Sequence, residues 1–126
     1  MDTSKDYIEM RIGAIPFMGK GDSPSLPITL FTYYDPYSVL VDAFGNFFIQ
    51  DNTNQYICIL ERQDQLQDMV KSEYETDYDM NLDFTEFTTN LYTHEQIGAS
   101  MEQLWLAFVM HEKFQKKWDG EDWIGI

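Results

Sequence analysis

In the first half of the chain, segments with a regular pattern of apolar residues are separated by segments rich in glycine and proline. Apolar and polar residues alternate over Tyr7–Ile12, and this period of two predicts a short strand. Glycines and prolines in residues 13–27 favour neither a helix nor a paired strand, so this stretch is expected to be a flexible surface loop. From Ile28 to Leu60 aromatic and β-branched residues dominate, and they predict an antiparallel β-meander. Turn signals divide it at Asp35-Pro36, Gly45-Asn46 and Asp51–Asn54.

Two positions within the meander carry specific expectations. Gly45-Asn46 lies between Val39–Phe44 and Phe47–Gln50, where a glycine at the first central position suits a type II′ hairpin turn. Cys58 lies within a short apolar run that is typical of a strand buried on both faces. We therefore expect a packed thiol at Cys58 and no nucleophile.

After Leu60 the apolar spacing becomes helical. Leu66, Met69, Val70 and Tyr74 form one apolar stripe, which predicts a first helix over Glu61 to about Tyr74. Residues 73–85 then alternate without a break, and their period of two predicts a half-buried strand. The helix and the strand overlap at residues 73–75, where the boundary stays open.

A second helix is predicted within residues 97–118. Its apolar face consists of Leu104, Trp105, Phe108, Val109 and Met101. Two patterns fit a capping box at its start, Thr93 with Gln96 and Ser100 with Gln103, and the choice between them is open. Three lysines, Lys113, Lys116 and Lys117, complement the carboxyl end, and Asp119-Gly120 offers the stop.

Length and composition complete the fold prediction. A chain of 126 residues with 44% hydrophobic residues can bury one core. We see no repeat and no linker, so residues 1–126 are expected to form a single α+β domain. In it an antiparallel β-meander packs with two main helices.

The charge limits the classes of partner. There are 22 acids against 8 bases, and the net charge of −14 repels nucleic acid and anionic lipid. A direct nucleic-acid binder and a membrane protein are therefore both disfavoured. The single cysteine and the absence of a recognisable leader point to a reducing interior, so we expect a cytoplasmic protein.

The acids are concentrated between Glu61 and Glu86. On the predicted helix, four of them fall on one stripe about 21 Å long, opposite the apolar face: Glu61, Asp64, Asp68 and Glu75. On the predicted strand, further acids lie on the outer face about 6.6 Å apart: Asp77, Asp79 and Asp83. These seven residues are the candidate partner-binding site. The alternatives are a solvated face that aids solubility and a bound cation.

The sequence contains fragments of metal-binding motifs but no complete catalytic or metal-binding motif. The Asp77–Asp83 segment resembles the opening of a calcium loop, but Leu82 stands where the loop needs a glycine and Thr88 where it needs the bidentate Glu. His111-Glu112 begins a zinc motif that ends in Gln115 in place of the second histidine. No nucleophile elbow, phosphate loop or dinucleotide fingerprint is present. We expect a protein that is not an enzyme and that has no metal or cofactor.

In length, acidity, α+β build and aromatic content, the chain resembles the small acidic phage proteins that disarm host defences, the anti-CRISPR and antirestriction inhibitors. This resemblance implies an inhibitor that binds the cationic nucleic-acid-binding surface of a nuclease or defence protein by partial nucleic-acid mimicry. If a phage encodes the protein, the expected location is the cytoplasm of the host cell. An immunity protein that neutralises a basic nuclease toxin is an alternative. Another is an adaptor that docks through its carboxyl-terminal apolar residues Trp118, Trp123 and Ile124.

Overall fold

The computed structural model of the protein describes residues 1–94 and 100–126, and for residues 91–94 it describes the backbone. Its contacts divide the chain into two compact units. Unit 1 comprises Met1 and Thr3–Arg62, and unit 2 comprises Asp2 and Gln63–Ile126. The predicted α+β class and its antiparallel meander are confirmed. The domain bounds 1–126 stay a prediction.

Unit 1 begins with a helix where the alternation predicted a strand. Helix α1 spans Lys5–Gly13, and the hydroxyl of its N-cap Ser4 accepts a hydrogen bond from the Tyr7 backbone N–H at 3.3 Å. The strand prediction was wrong because Arg11, counted as an outward polar residue, is buried together with Tyr7, Ile8 and Met10. These four side chains, followed by buried Ala14, fit a helical face and not a period of two.

Part of the predicted flexible loop at 13–27 is also helical. Gly13 closes α1, and helix α2 spans Ile15–Met18. Pro16 lies in the first turn of α2, where a missing N–H costs no intrahelical bond. The remainder, from Gly19 to Ile28, contains neither helix nor strand.

The predicted meander is a four-stranded antiparallel sheet in the order β1-β2-β3-β4. The strands are β1 Thr29–Tyr34, β2 Tyr37–Val41, β3 Phe47–Gln50 and β4 Tyr56–Leu60. Two of the connections contain the turn signals expected there, Asp35-Pro36 and Asp51–Asn54. The third is a longer hairpin than the sequence predicted.

The β2–β3 connection is not a two-residue type II′ turn. The strands pair at Val41 and Phe47, and Asp42 and Asn46 extend the pairing, because the Asp42 N–H donates to the Asn46 carbonyl at 3.0 Å. The Gly45 N–H bonds to the Asp42 carbonyl, and Gly45 has φ +77°. This combination is typical of a three-residue hairpin with a left-handed glycine. The Asp42 carboxylate also holds the loop, accepting from the backbone N–H groups of Phe44 and Asn46 at 2.9 and 3.0 Å.

The core of unit 1 includes both faces of this sheet. Val39, Phe48, Ile49, Cys58 and Leu60 are all buried. The expectation of a packed thiol at Cys58 is confirmed, since burial raises the pKa of that thiol to about 12.

The outer edge of β4 is covered by the segment that follows α2. The Ile59 N–H donates to the Lys20 carbonyl at 2.9 Å, and the Tyr56 hydroxyl donates to the same carbonyl at 2.8 Å. Gly21 passes so close that a Cβ there would lie 2.3 Å from the Ile59 side chain, and its φ is +73°. A glycine is therefore required where this segment closes the sheet edge.

The described residues of unit 2 form three helices and a small hairpin. Helix α3 spans Gln63–Lys71, α4 spans Asp77–His94 and α5 spans Met101–Phe114, followed by β5 Lys116–Trp118 and β6 Trp123–Gly125. The first predicted helix is confirmed in a shorter form, with Leu66 and Val70 buried. Both α3 and α4 pack against α5.

The predicted strand over residues 73–85 was wrong, since α4 occupies most of it. The Thr76 hydroxyl caps this helix by accepting a hydrogen bond from the Asp79 backbone N–H at 3.1 Å. Met80 and Phe84 are buried, but Tyr78 is 74% exposed although the strand would have placed it on the same side. Asp77 and Asp79 in the first turn complement the positive end of the helix.

The second predicted helix is confirmed as α5. Its cap is Ser100, whose hydroxyl accepts the Gln103 N–H at 3.1 Å. In the alternative cap, Gln96 lies outside the described residues, and Thr93 belongs to α4. The predicted stop at Asp119-Gly120 comes too late, because Gln115 adopts a left-handed conformation and Lys116 and Lys117 belong to β5. Met101 was expected on the buried face and is exposed.

Candidate interaction surface

One of the seven predicted contact residues does not reach the surface. Glu61 lies beyond the end of β4 and is buried, and its carboxylate accepts two hydrogen bonds from the Arg11 guanidinium, at 2.6 and 3.2 Å. Burial lowers the pKa of Arg11, but the charge and hydrogen bonds of Glu61 outweigh it, so this pKa is raised. Glu61 is a structural partner of Arg11, and its assignment to a binding surface was wrong.

The other six predicted residues are exposed, but they do not form the two expected rows. Asp64 and Asp68 lie on α3, Glu75 lies in the following loop, and three lie on α4: Asp77, Asp79 and Asp83. The helical stripe of about 21 Å is absent because α3 begins after Glu61 and ends before Glu75. The outer strand face, with its spacing of about 6.6 Å, is absent because its residues are helical.

Helix α4 arranges its acids differently. At about 100° per residue, Asp79, Asp83 and Glu86 fall within one arc of about 60° on one side of the helix. Asp77 lies about 120° from Asp83 by the shorter way round the helix, and it forms an ion pair with Lys71 at 3.7 Å. Glu86 was missed because the strand prediction ended at Thr85. Its i, i+3 spacing from Asp83 within a helix is the signal that could have found it.

The spacing of these carboxylates limits what they imitate. Asp79 and Asp83 are one helical turn apart, a rise of about 6 Å. A single strand of duplex DNA carries a charge about every 3.4 Å along the axis. The row on α4 therefore resembles every second phosphate of a strand and not a complete backbone.

Two tyrosines beside this row differ in their surroundings. The Tyr74 side chain is half-buried. Its burial and, to a smaller extent, its hydrogen bond to Asp83 raise the pKa of Tyr74. Tyr78 is 74% exposed and Leu82, one turn further, is 47% exposed. They place an apolar stripe directly beside Asp79 and Asp83 on α4.

The two units carry very different charges. Unit 1 has seven acids and four bases, a net charge of −3. Unit 2 has fifteen acids and four bases, a net charge of −11. The part of unit 2 between Gln63 and Asn90 holds eight acids and one base, and all eight acids are exposed.

The carboxyl-terminal aromatics considered for an adaptor are mostly internal. Trp118 and Trp123 are buried in the β5–β6 hairpin, with ring centroids 5.1 Å apart. Ile124 is the exposed member of the predicted set. Two of the three residues are therefore occupied in packing against their own unit.

The remaining chemistry of the described residues is limited. Residues 1–94 and 100–126 contain no group of three or more His, Cys, Asp and Glu side chains that could hold a metal ion. Asp77, Asp79, Asn81 and Asp83 are distributed around α4, so they do not surround a common point as the ligands of a calcium loop do. In the described part of the chain, every helix is too short or too polar to cross a bilayer.

Comparisons with known proteins add no identification. The sequence matches no family model and no curated protein, and the structure matches no solved structure.

Proposed function

We propose that this protein is an acidic inhibitor that binds the cationic nucleic-acid-binding surface of a nuclease or defence protein and competes with the nucleic acid for it. The observation that carries the proposal is the concentration of charge: unit 2 holds a net charge of −11, against −3 for unit 1. Charge that serves solubility alone works as well when both signs are mixed over the whole surface. A one-signed face instead attracts a basic partner and speeds its association.

Helix α4 supplies the central part of the proposed contact. Asp79, Asp83 and Glu86 would meet lysine or arginine side chains of the target, since they lie on one side of the helix. The exposed Tyr78 and Leu82 beside them provide apolar contact area, which charged groups alone lack. An acidic row with an apolar flank fits a groove that binds both the phosphates and the bases of a nucleic acid.

The row is supported from within unit 2. The Thr76 cap fixes the start of α4, and the Tyr74 hydroxyl bonds to Asp83 beside the apolar stripe. Phe84 stacks on Trp105 of α5 with ring centroids 3.9 Å apart, which anchors the opposite side of the helix. The proposed contact residues are thus held on a packed helix, which lowers the entropy that binding would cost.

The proposal is tested by capture from a bacterial lysate with the immobilised protein. A duplex DNA oligonucleotide in excess should release the captured target, because both ligands need the same cationic groove. The triple variant Asp79→Lys, Asp83→Lys, Glu86→Lys should capture much less target. Its control is Asp6→Lys, Glu9→Lys, Asp22→Lys, three exposed acids of unit 1 whose reversal gives the same net charge of −8. Capture that DNA does not reverse, or that both variants reduce equally, would contradict the proposal.

A further inference from the structure

The sheet of unit 1 has one protected edge and one open edge. At β4, the Lys20 carbonyl accepts a hydrogen bond from the Ile59 N–H, and Gly21 lies against the Ile59 side chain. At β1, within residues 1–94 and 100–126, β2 is the one strand that is hydrogen-bonded to it. An edge strand offers unpaired N–H and C=O groups that can pair with a further strand.

The large side chains of this open edge are aliphatic or aromatic, and they are exposed. Leu30 is 61% exposed, Phe31 54% and Tyr33 53%, and Ile28 and Tyr34 are also exposed. Leu30 pairs with Leu40 and Tyr33 with Ser38, so the bulge between Leu30 and Thr32 brings Leu30 and Tyr33 onto one face of the sheet. Proteins usually protect an edge with charged residues, prolines or bulges. Strand β1 has the bulge but contains no charged residue.

We propose that β1 is a homodimerisation edge, at which two copies of the chain pair their Thr29–Tyr34 strands antiparallel to form a continuous eight-stranded sheet. The proposal is independent of the inhibitor function, because it concerns unit 1 and requires no target. Antiparallel pairing of identical strands generates two-fold symmetry, the commonest symmetry of soluble oligomers.

Charge favours a second copy as the occupant. When β1 pairs with itself about its centre, Tyr34 lies opposite Thr29 of the second copy, and Asp35 follows at the far end of each strand. The two Asp35 carboxylates are then about 23 Å apart at 3.3 Å per residue, well beyond the Debye length of about 8 Å. A basic partner of the kind proposed for unit 2 would find no carboxylate on this strand.

The available area sets the expected strength. Three aromatic side chains of β1, about half exposed, and the exposed parts of Leu30 and Ile28 amount to roughly 400 Å² per copy. That is about half of the 800 Å² that each partner buries in a standard interface. Backbone hydrogen bonds between the strands add to this contact, so we expect a reversible dimer that forms in the micromolar range.

Sedimentation equilibrium from about 5 to 500 µM tests the proposal. The apparent mass of the wild-type protein should rise from 14.9 kDa toward twice that value. The double variant Leu30→Lys, Tyr33→Lys should dissociate at least tenfold more readily, because lysines on an edge oppose each other across the two-fold axis. The matched control is Leu82→Lys, Tyr78→Lys, the same exposed residue types on α4, which should dimerise like the wild type.

A wild-type protein that stays at 14.9 kDa throughout, or variants that behave alike, would overturn the proposal. Amide hydrogen exchange of the wild-type protein keeps the test decisive if the β1 variant fails to fold. Exchange at Thr29–Tyr34 should slow several-fold between the lowest and highest concentrations. Exchange that is independent of concentration at these residues would also overturn it.

Discussion

At the scale of single residues, the structure depends on buried polar contacts between distant parts of unit 1. Arg11 and Glu61 are both almost fully buried and are joined by hydrogen bonds of 2.6 and 3.2 Å. Arg11 Nη2 also donates to the Gly19 carbonyl at 2.8 Å, whereas Nη1 has no partner among the described residues. The pair therefore links α1 to the end of β4 but leaves the buried Nη1 amino group of Arg11 without a hydrogen-bond acceptor, which carries a cost.

Breaking this pair on one side should be more damaging than removing both charges. Glu61→Leu leaves the Arg11 guanidinium buried without its counter-charge, so the free energy of unfolding should fall by about 3–5 kcal/mol. The double variant Arg11→Met, Glu61→Leu should lose less than Glu61→Leu alone. Urea unfolding of both variants and the wild type measures this difference. A double variant that is less stable than Glu61→Leu would contradict the assignment of a coupled pair.

The Asp42 carboxylate gives the hairpin loop a dependence on pH. Burial raises the pKa of Asp42, but hydrogen bonds from the backbone N–H groups of Asn46, Ser25 and Phe44 outweigh it and hold this pKa below its usual value. In the unfolded chain, an aspartate has a pKa of about 3.9. A carboxylate whose pKa is lower in the folded state stabilises the fold at pH values above that unfolded-state pKa. This stabilisation is lost as the pH falls through the lower pKa of the folded state.

Replacing this carboxylate should therefore matter at neutral pH and not in acid. Asp42→Asn should lower the unfolding midpoint in urea at pH 7, and the difference from the wild type should shrink toward pH 2. Asp22→Asn, which removes an exposed carboxylate of the same unit, serves as the control and should change little at either pH. A destabilisation by Asp42→Asn that stays constant from pH 7 to pH 2 would disagree with this role.

At the scale of elements, local patterns predicted the meander and two helices but failed for α1 and α4. The meander was predictable because turn residues separate short β-branched and aromatic runs. In α4, Met80 and Phe84 are four residues apart, which satisfies both a period of two and a helical period. The signals that favour the helix are the Thr76–Asp79 capping pattern and Phe87, seven residues after Met80. In α1, the partner that allows Arg11 to be buried lies fifty positions further along the chain, where no local pattern can reveal it.

The same residues provide a test of helix against strand. On α4, Met80→Ala should cost about 2–5 kcal/mol and Phe84→Ala about 3–5 kcal/mol, because both side chains are buried. Tyr78→Ala and Leu82→Ala should change stability by less than about 1 kcal/mol, since both side chains are exposed. Thermal or urea unfolding measures all four. Similar losses at all four positions would instead indicate a strand with one buried face.

At the scale of the whole molecule, the distribution of charge was only partly predictable. The concentration of acids after Glu61 is visible in the sequence, and six of the seven candidate residues are exposed. Their geometry depends on the secondary structure, because one residue type at one spacing forms different rows on a helix and on a strand. The prediction of a helix over residues 61–74 also placed Glu61 on the surface, where the structure instead buries it against Arg11.

The division of charge between the units suggests a division of roles. Unit 2 carries most of the acidity and the proposed contact helix, and unit 1 presents the uncharged edge of β1. An inhibitor that is also a dimer would present two acidic faces, and their linkage would raise the effective concentration of the second face at a dimeric target.

The central claim, that the acids of α4 drive binding to a cationic groove, is tested most directly by the association rate with a purified captured target. For the wild type, this rate should fall steeply as the ionic strength rises past about 0.15 M, where the Debye length is about 8 Å. The variant with Asp79, Asp83 and Glu86 changed to lysine should associate at least tenfold more slowly at low salt and lose most of the salt dependence. The variant with Asp6, Glu9 and Asp22 changed to lysine has the same net charge and should keep both properties. Equal rates for the two variants, or a wild-type rate that does not respond to salt, would contradict the claim.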